Sequence, residues 1–303
     1  MTLFIILSIC FVMVKLLPLP TPSGSEETIA IVLARREAMG YNKPILEQLF
    51  LFWKRVITKF DWGYGEQIYQ MQTVVEVIGE KLPASVMLNL YSIIISIPIG
   101  ILLGIFAAIK KNKWEDHVIS VVVMLFISVP SFVYAFLVKY LLCYKLGWFP
   151  ILASTKSNYF APDVVWSLMP AILSLSFGSI AGFTRYTRAE LSEVLTSEFM
   201  LLARTKGLTR GQATMRHALR NSMVVIFPMI LGEFISILGG SLIIEGMFSI
   251  PGIGALYITS INALDYNFFM AISAFYTAIG LAAGIVIDLS YGFIDPRIRM
   301  GVK

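Results

Sequence analysis

Residues 203–221, ARTKGLTRGQATMRHALRN, form a basic segment between two long apolar runs, with five arginines and lysines and no acidic residue. A segment this short and this charged is the water-facing connection between membrane spans, and the rest of the chain has the matching composition. Hydrophobic residues make up 57% and charged residues only 14%, against about a quarter charged in soluble domains. A bilayer core of about 30 Å takes about 20 apolar residues per helix.

Six runs of that kind are expected to be transmembrane helices, at Thr2–Leu19, Val86–Ile109, Val118–Leu142, Val164–Thr184, Met223–Ile244 and Phe268–Ile287. None alternates with period two, so helices rather than barrel strands are expected. The predicted fold is an all-α polytopic membrane protein. Lysine and arginine concentrate at 110–113, 185–220 and 297–303, which assigns those loops and both termini to the cytoplasm. Loops 143–163 and 245–267 are then external.

Residues 20–85 are read as an external cap, because long loops translocate largely regardless of charge. Leu46, Leu49, Phe50, Trp53, Val56 and Ile57 recur at helical spacing, which fits a small folded cap or an amphipathic helix on the bilayer surface. The domain reading is therefore a first helix at 1–19, a cap at 20–85 and a five-helix core at 86–303 with a loop at 185–221. The start of the chain is expected to be a retained span: Ile9 is too bulky to precede a lipoprotein cut at Cys10, and no basic n-region is present. Cys10 and Cys143 give no disulfide framework.

No enzyme chemistry is visible. A GK[ST] phosphate loop is absent, His117 and His217 stand alone, and Pro251-Gly252-Ile253-Gly254 reads as a turn. No cofactor, metal or nucleic acid is expected as a ligand. In the loop, Leu191, Val194, Leu195 and Leu202 lie opposite Glu190, Glu193 and Glu198, as in an amphipathic helix. Gly207 interrupts it. A second short helix is expected, with Met215, Ala218 and Leu219 on one side and Arg216 and Arg220 on the other. Small Ala203 and Gly207 would let another surface approach; a helix meeting anionic lipid headgroups is the plainer alternative.

The loop resembles the signature of permease subunits in binding-protein-dependent ATP-binding-cassette importers. Ala203 and Gly207 match its core, and His217-Ala218-Leu219-Arg220-Asn221 is similar to the oligopeptide, dipeptide and nickel branch. Ser128-Val129-Pro130-Ser131-Phe132, Glu245-Gly246-Met247-Phe248-Ser249-Ile250-Pro251-Gly252-Ile253-Gly254 and the closing Asp288 to Arg299 also resemble family elements, as do Tyr41-Asn42-Lys43-Pro44 and Asp61-Trp62-Gly63-Tyr64-Gly65 more weakly. The family's proline after the asparagine is displaced here to Pro228.

The resemblance implies a subunit of an ATP-driven importer in a bacterial or archaeal plasma membrane, forming half of a pathway for oligopeptides. Dipeptides, nickel chelates, opines and other small solutes are the alternative cargoes. It implies a homologous second permease subunit, two cytoplasmic ATP-binding subunits that hydrolyse the ATP, and an external substrate-binding protein. The coupling helix would use Ala203, Arg204, Lys206, Gly207, Leu208, His217 and Arg220. Glu233, midway along the fifth run, either lines the pathway and meets a peptide amino group, or is protonated or paired with a neighbouring helix. Gly232, Gly239 and Gly240 beside it permit close helix approach. Lys139 and Asp288 lie nearer span ends, where snorkelling or an interfacial contact explains them. A proton-coupled secondary transporter would want paired intramembrane carboxylates, and a membrane enzyme convergent catalytic groups; neither pattern is apparent.

Overall fold

The computed structural model describes residues 1–294 apart from Ser23 and Thr155, so Asp295 to Arg299 of the closing motif lie outside it. Helices α1 (Thr2–Lys15), α2 (Glu26–Ala38) and α3 (Ile45–Lys59) precede the long α4 (Val74–Ile109). Then come α5 (Trp114–Ser128), α6 (Ser131–Val138, prolonged by wider π-helical turns over Lys139–Lys145) and α7 (Pro162–Val194). The short α8 (Glu198–Thr205) and α9 (Arg210–Ala213) follow, and α9 passes through a π-helical stretch, Thr214–Ala218, into α10 (Leu219–Ser236). The chain closes with α11 (Leu242–Phe248), α12 (Ile253–Asn262) and α13 (Tyr266–Ile294).

Among the described residues, four helical runs are long and apolar enough to cross a membrane, at 74–109, 162–194, 210–239 and 266–292. Two bent pairs, α5 with α6 and α11 with α12, bring the number to six if each pair is one crossing. This set differs from the expected six. The first expected span is α1, whose 14 residues rise about 21 Å, short of the hydrocarbon thickness. The third expected span turns by 103° between α5 and α6. Pro130 is the cause: it forces Val129 out of helical geometry, to ψ 128°, and donates no N–H. The loop after the fifth span is itself a helical hairpin, turned by 91° where Ser249 adopts a left-handed φ of 55° ahead of Pro251.

The centre of the fold is the crossing of α4 and α7. Ser92, Ser96, Gly100, Gly104 and Ala108 recur every fourth residue on α4 and are all buried. A Cβ on Gly100 would stand 2.6 Å from the Phe183 Cβ, and one on Gly104 2.5 Å from the Thr187 Cβ, so only glycine allows the helices this close. Close approach brings polar groups into reach: Thr184 donates to the Gly100 carbonyl at 3.2 Å, and the Ser92 and Ser176 hydroxyls are 3.1 Å apart. In lipid such small-residue seams and interhelical hydrogen bonds drive association. Around Glu233, by contrast, a Cβ on Gly239 would meet nothing within 4 Å and one on Gly232 would touch only the Ile287 side chain.

The cap ends earlier than expected. Thr73 and Glu76 form a capping box that starts α4 at Val74, so the boundary at Ser85 falls inside a helix. Only part of the apolar stripe on α3 is covered: Val56, with Phe52, packs on Leu7 and Phe11 of α1 and Met270 and Ala274 of α13, while Leu46, Phe50 and Ile57 are exposed. Asp265, buried ahead of α13, fastens the cap to the core. Its Oδ2 accepts from the backbone N–H groups of Glu66 and Gln67 at 2.8 Å and of Ile68 at 3.2 Å. Burial raises the Asp265 carboxyl above its usual range, and these three N–H groups pull it back. Beside it, Glu66 accepts from Arg36, Tyr41 and Asn267.

Replacing Gly104 by Ala should cost about 1–3 kcal/mol, read as a lower unfolding temperature in detergent. Gly284→Ala, where nothing lies within 4 Å, should be neutral or stabilising by up to about 1 kcal/mol. Asp265→Ala should cost about 3 kcal/mol and expose residues 60–73 to protease while the core stays resistant.

Candidate functional site

The basic loop opens where α7 ends. The chain turns at Leu195–Ser197 before α8 begins, so Leu191 and Leu202 are not on one continuous helix: Leu191 is buried, and Leu202 is 56% exposed. Ala203 is covered by its own fold, in a cluster with Ala108 of α4, Met200, Ala213 and Ala218. It brings α8 close to α9 and α4 rather than leaving room for an outside surface. Gly207 has φ +90°, and a Cβ there would meet nothing within 4 Å. Its role is the left-handed turn between α8 and Thr209, whose side chain caps α9 reciprocally with Gln212.

The helix after Gly207 is not short, since α9 runs on through Ala218 and Asn221 to the end of α10. In the π-helical stretch Met215 points outward, 60% exposed, while Ala218 is buried, so the expected stripe is divided. The exposed surface of the loop carries Leu201, Leu202, Arg204, Lys206, Arg216, His217 and Arg220. Leu208 is half-buried against the cluster beneath. Phe199, Arg216, His217, Arg220, Asn221 and Val224 line an open cleft of about 510 Å³. One face is therefore cationic with interspersed leucines.

Asp116 and Arg188 brace this end of the bundle. Asp116, fully buried on α5, receives the guanidinium of Arg188 on α7 through two N–H groups, the second at 2.7 Å, and also caps the 110–113 turn through the Asn112 N–H. Farther into the bundle, Glu233 of α10 is half-buried and accepts from the Ser179 hydroxyl of α7 at 3.1 Å. It is thus tied to a neighbouring helix while still partly open.

Glu245, which opens one of the sequence motifs, is the buried acid that sequence reasoning left without a role. Its carboxylate accepts from the N–H groups of Ser241 at 3.0 Å, Gly254 at 2.8 Å and Ala255 at 3.2 Å, so it caps α12 and closes the α11–α12 hairpin. A Cβ on Gly252 would stand 2.2 Å from its Oε2 and 2.4 Å from the Ser85 Oγ. Ser85 of α4 accepts from the Ile253 N–H at 2.8 Å, which joins the hairpin to the central helix. Lys139 reaches the Met247 carbonyl at the end of α11 and lies 5.4 Å from the Phe248 ring centre, a contact between helices. A carboxylate followed at seven and nine residues by glycines was the available signal. Among the described residues, no three His, Cys, Asp or Glu side chains gather as a metal site.

The family model for the binding-protein-dependent transport system inner membrane component matches residues 100–300. The dipeptide transport system permease protein DppB of Lactococcus lactis is 35% identical over 99% of this chain and 96% of its own length. The oligopeptide transport system permease protein OppB of Haemophilus influenzae is 29% identical, over 98% and 95%. The glutathione transport system permease protein GsiC of Escherichia coli K12 is 28% identical, over 98% and 95%. Among solved structures, an inward-facing form of the MetNI methionine transporter superposes with a TM-score of 0.53 at 12% identity, covering 71% of this chain and 97% of that one. That likeness is one of fold.

Gly252→Ala should expel the Glu245 carboxylate from its cage and reduce the amount of folded protein recovered from membranes severalfold. Gly246→Ala, one residue past the same carboxylate but with nothing within 4 Å, should leave recovery unchanged.

Proposed function

This chain belongs to the family of binding-protein-dependent transport system inner membrane components, and we propose that it forms one half of the translocation pathway of an ATP-driven peptide importer. The observation that carries the cargo class is its 35% identity, along nearly its whole length, with a permease named for dipeptide transport. A permease named for oligopeptides aligns over the same extent, and oligopeptides are the broader cargo proposed here. An ion-coupled secondary transporter is not favoured, since the family is defined by dependence on a binding protein.

In this reading a second, homologous permease subunit completes the pathway. Two ATP-binding subunits in the cytoplasm grip the surface of Arg204, Lys206, His217 and Arg220, and an external binding protein delivers the peptide on the cap side. In this reading the positive bias of 110–113 and 185–220 assigns the basic loop to the cytoplasm. Closure of the ATPase pair draws α8 and α9 along as one body, because Ala203, Ala213 and Leu208 pack against the end of α4 and α7. Gly207 lets the loop turn sharply enough for α8 to stay seated while its charged side faces outward.

Purified from its host membrane, the chain should bring its ATPase subunits with it, and the reconstituted assembly should take up defined peptides only with ATP and binding protein. Gly207→Asp adds a left-handed strain of about 1–2 kcal/mol and a negative charge in the basic loop. It should leave the complex assembled but lower uptake by about tenfold or more, relative to ATP hydrolysed. Normal uptake by that variant refutes the assignment of the loop.

A further inference from the structure

The cap helix α3 leaves an apolar stripe without cover from its own chain. Leu46, Phe50, Trp53 and Ile57 follow one another at four, three and four residues, and Phe60 comes three later at the C-cap. At about 3.6 residues per turn these positions stay within about 80° of one another around the helix. Leu46, Phe50, Ile57 and Phe60 are 66–77% exposed, whereas Phe52 and Val56 on the adjacent flank are buried. The charged Glu47, Lys54, Arg55 and Lys59 fall outside the stripe. Single apolar residues are ordinary on a protein surface, but a contiguous row rimmed by charges marks an interaction face. Its make-up is that of a helix lying in a membrane interface.

What lies beside the stripe identifies what covers it. Helix α1 carries a single charge, Lys15 at its end, and its Phe4, Ile5, Ile9 and Met13 are exposed. A helix apolar on every side is at home in protein or hydrocarbon, not in water. Helix α3 is locked to it: the Trp53 indole donates to the Ser8 hydroxyl at 3.0 Å and stacks on Phe4 with ring centres 4.5 Å apart, and Phe52 meets Phe11 at 4.9 Å. The medium around α1 therefore reaches α3. Between these helices, against α4 and α13, lies a cleft of about 370 Å³ whose lining side chains are all apolar or aromatic, among them Leu7, Trp53, Phe60, Trp62 and Ala278. Ala278 stands roughly three turns into α13, which is part of a run long enough to cross the membrane. A second helix, about 10–12 Å across, would place only about one turn in such a volume, whereas acyl chains fill it without a fixed shape. Tryptophan gathers at the boundary between lipid and water. Lys54 and Lys59, exposed and without an ion pair among the described residues, complement phospholipid phosphates.

We propose that α3 is seated in the lipid–water boundary on the cap's side of the bilayer, with acyl chains covering the stripe from Leu46 to Phe60 and filling the cleft between α1, α3 and α13, and with phospholipid phosphates near Lys54 and Lys59. The cap is then held twice, to the core through Asp265 and to the bilayer through α3. The membrane surface sets the height at which the cap stands. This role does not depend on which solute crosses or on what drives it.

The test places one nitroxide-labelled cysteine at a time in the assembled importer, otherwise free of cysteine, in vesicles of phosphatidylethanolamine and phosphatidylglycerol. Collisions with oxygen, which concentrates in hydrocarbon, are compared with collisions with a water-soluble nickel chelate. Labels at Phe50→Cys on the stripe, with Ile57→Cys as a second site should the first fail to assemble, and at Ala278→Cys in the cleft should meet oxygen severalfold more often than the chelate. Lys54→Cys, on the charged side, should show the reverse. A stripe label that favours the chelate puts α3 in water, and one reached by neither probe puts it against a partner subunit; each overturns the proposal, as does a cleft label closed to oxygen. Oxygen favoured at Lys54→Cys as well sinks the whole helix in hydrocarbon and overturns the interfacial seat. If no ATPase subunit co-purifies, the importer reading falls, and the same labels in the full chain alone still decide where α3 lies.

Discussion

Everything in this fold hangs on how closely α4 approaches α7. Lipid tails are as apolar as leucine, so no hydrophobic gain holds two helices together inside a bilayer; van der Waals fit and hydrogen bonds between helices must do so. The seam of Ser92, Ser96, Gly100, Gly104 and Ala108 supplies both, because removing side chains at Gly100 and Gly104 lets the Thr184 hydroxyl reach a backbone carbonyl. Once α7 is fixed along one side, its other flanks are assigned to α5 through Asp116 and Arg188 and to α10 through Ser179 and Glu233.

Two buried carboxylates perform the same physical task at the cap end. Glu245 collects three backbone N–H groups within its own hairpin, and Asp265 collects three across 197–199 residues of sequence besides that of Phe268. An ionised acceptor in a low-dielectric setting orders irregular backbone without needing a strand or a helix. This is why the glycines at 240, 252 and 254 surround Glu245: any Cβ there would occupy the space of the carboxylate or the backbone it binds. The basic loop uses the opposite device. Its alanines, not its charges, are buried, which frees the cations for a partner.

Much of this was legible in one dimension. Long apolar runs announced α4, α7, α10 and α13, and clustered lysines and arginines marked one end of the bundle. The ordered motifs pointed to the family to which the chain belongs. The breaks were less legible. Pro130 stands within the third apolar run, but a proline that kinks a helix and one that turns it by 103° look the same in sequence. The helix through Thr214–Ala218 into α10 was read as ending near Asn221, because a run of charges resembles a loop even when its backbone stays helical. Ala203 was taken for an outward-facing small residue, since size alone does not tell which surface it admits.

Composition and period thus determined by themselves that this is a helical membrane protein, where its apolar lengths begin and end, and which loop is basic, because each depends on the transfer of residues between water and hydrocarbon. Tertiary structure alone decided which small residues let helices touch and which acids close on backbone N–H groups. Those outcomes depend on direction and distance between segments far apart in sequence, about two hundred residues in the Glu66–Asp265 bond, and hydropathy carries no direction.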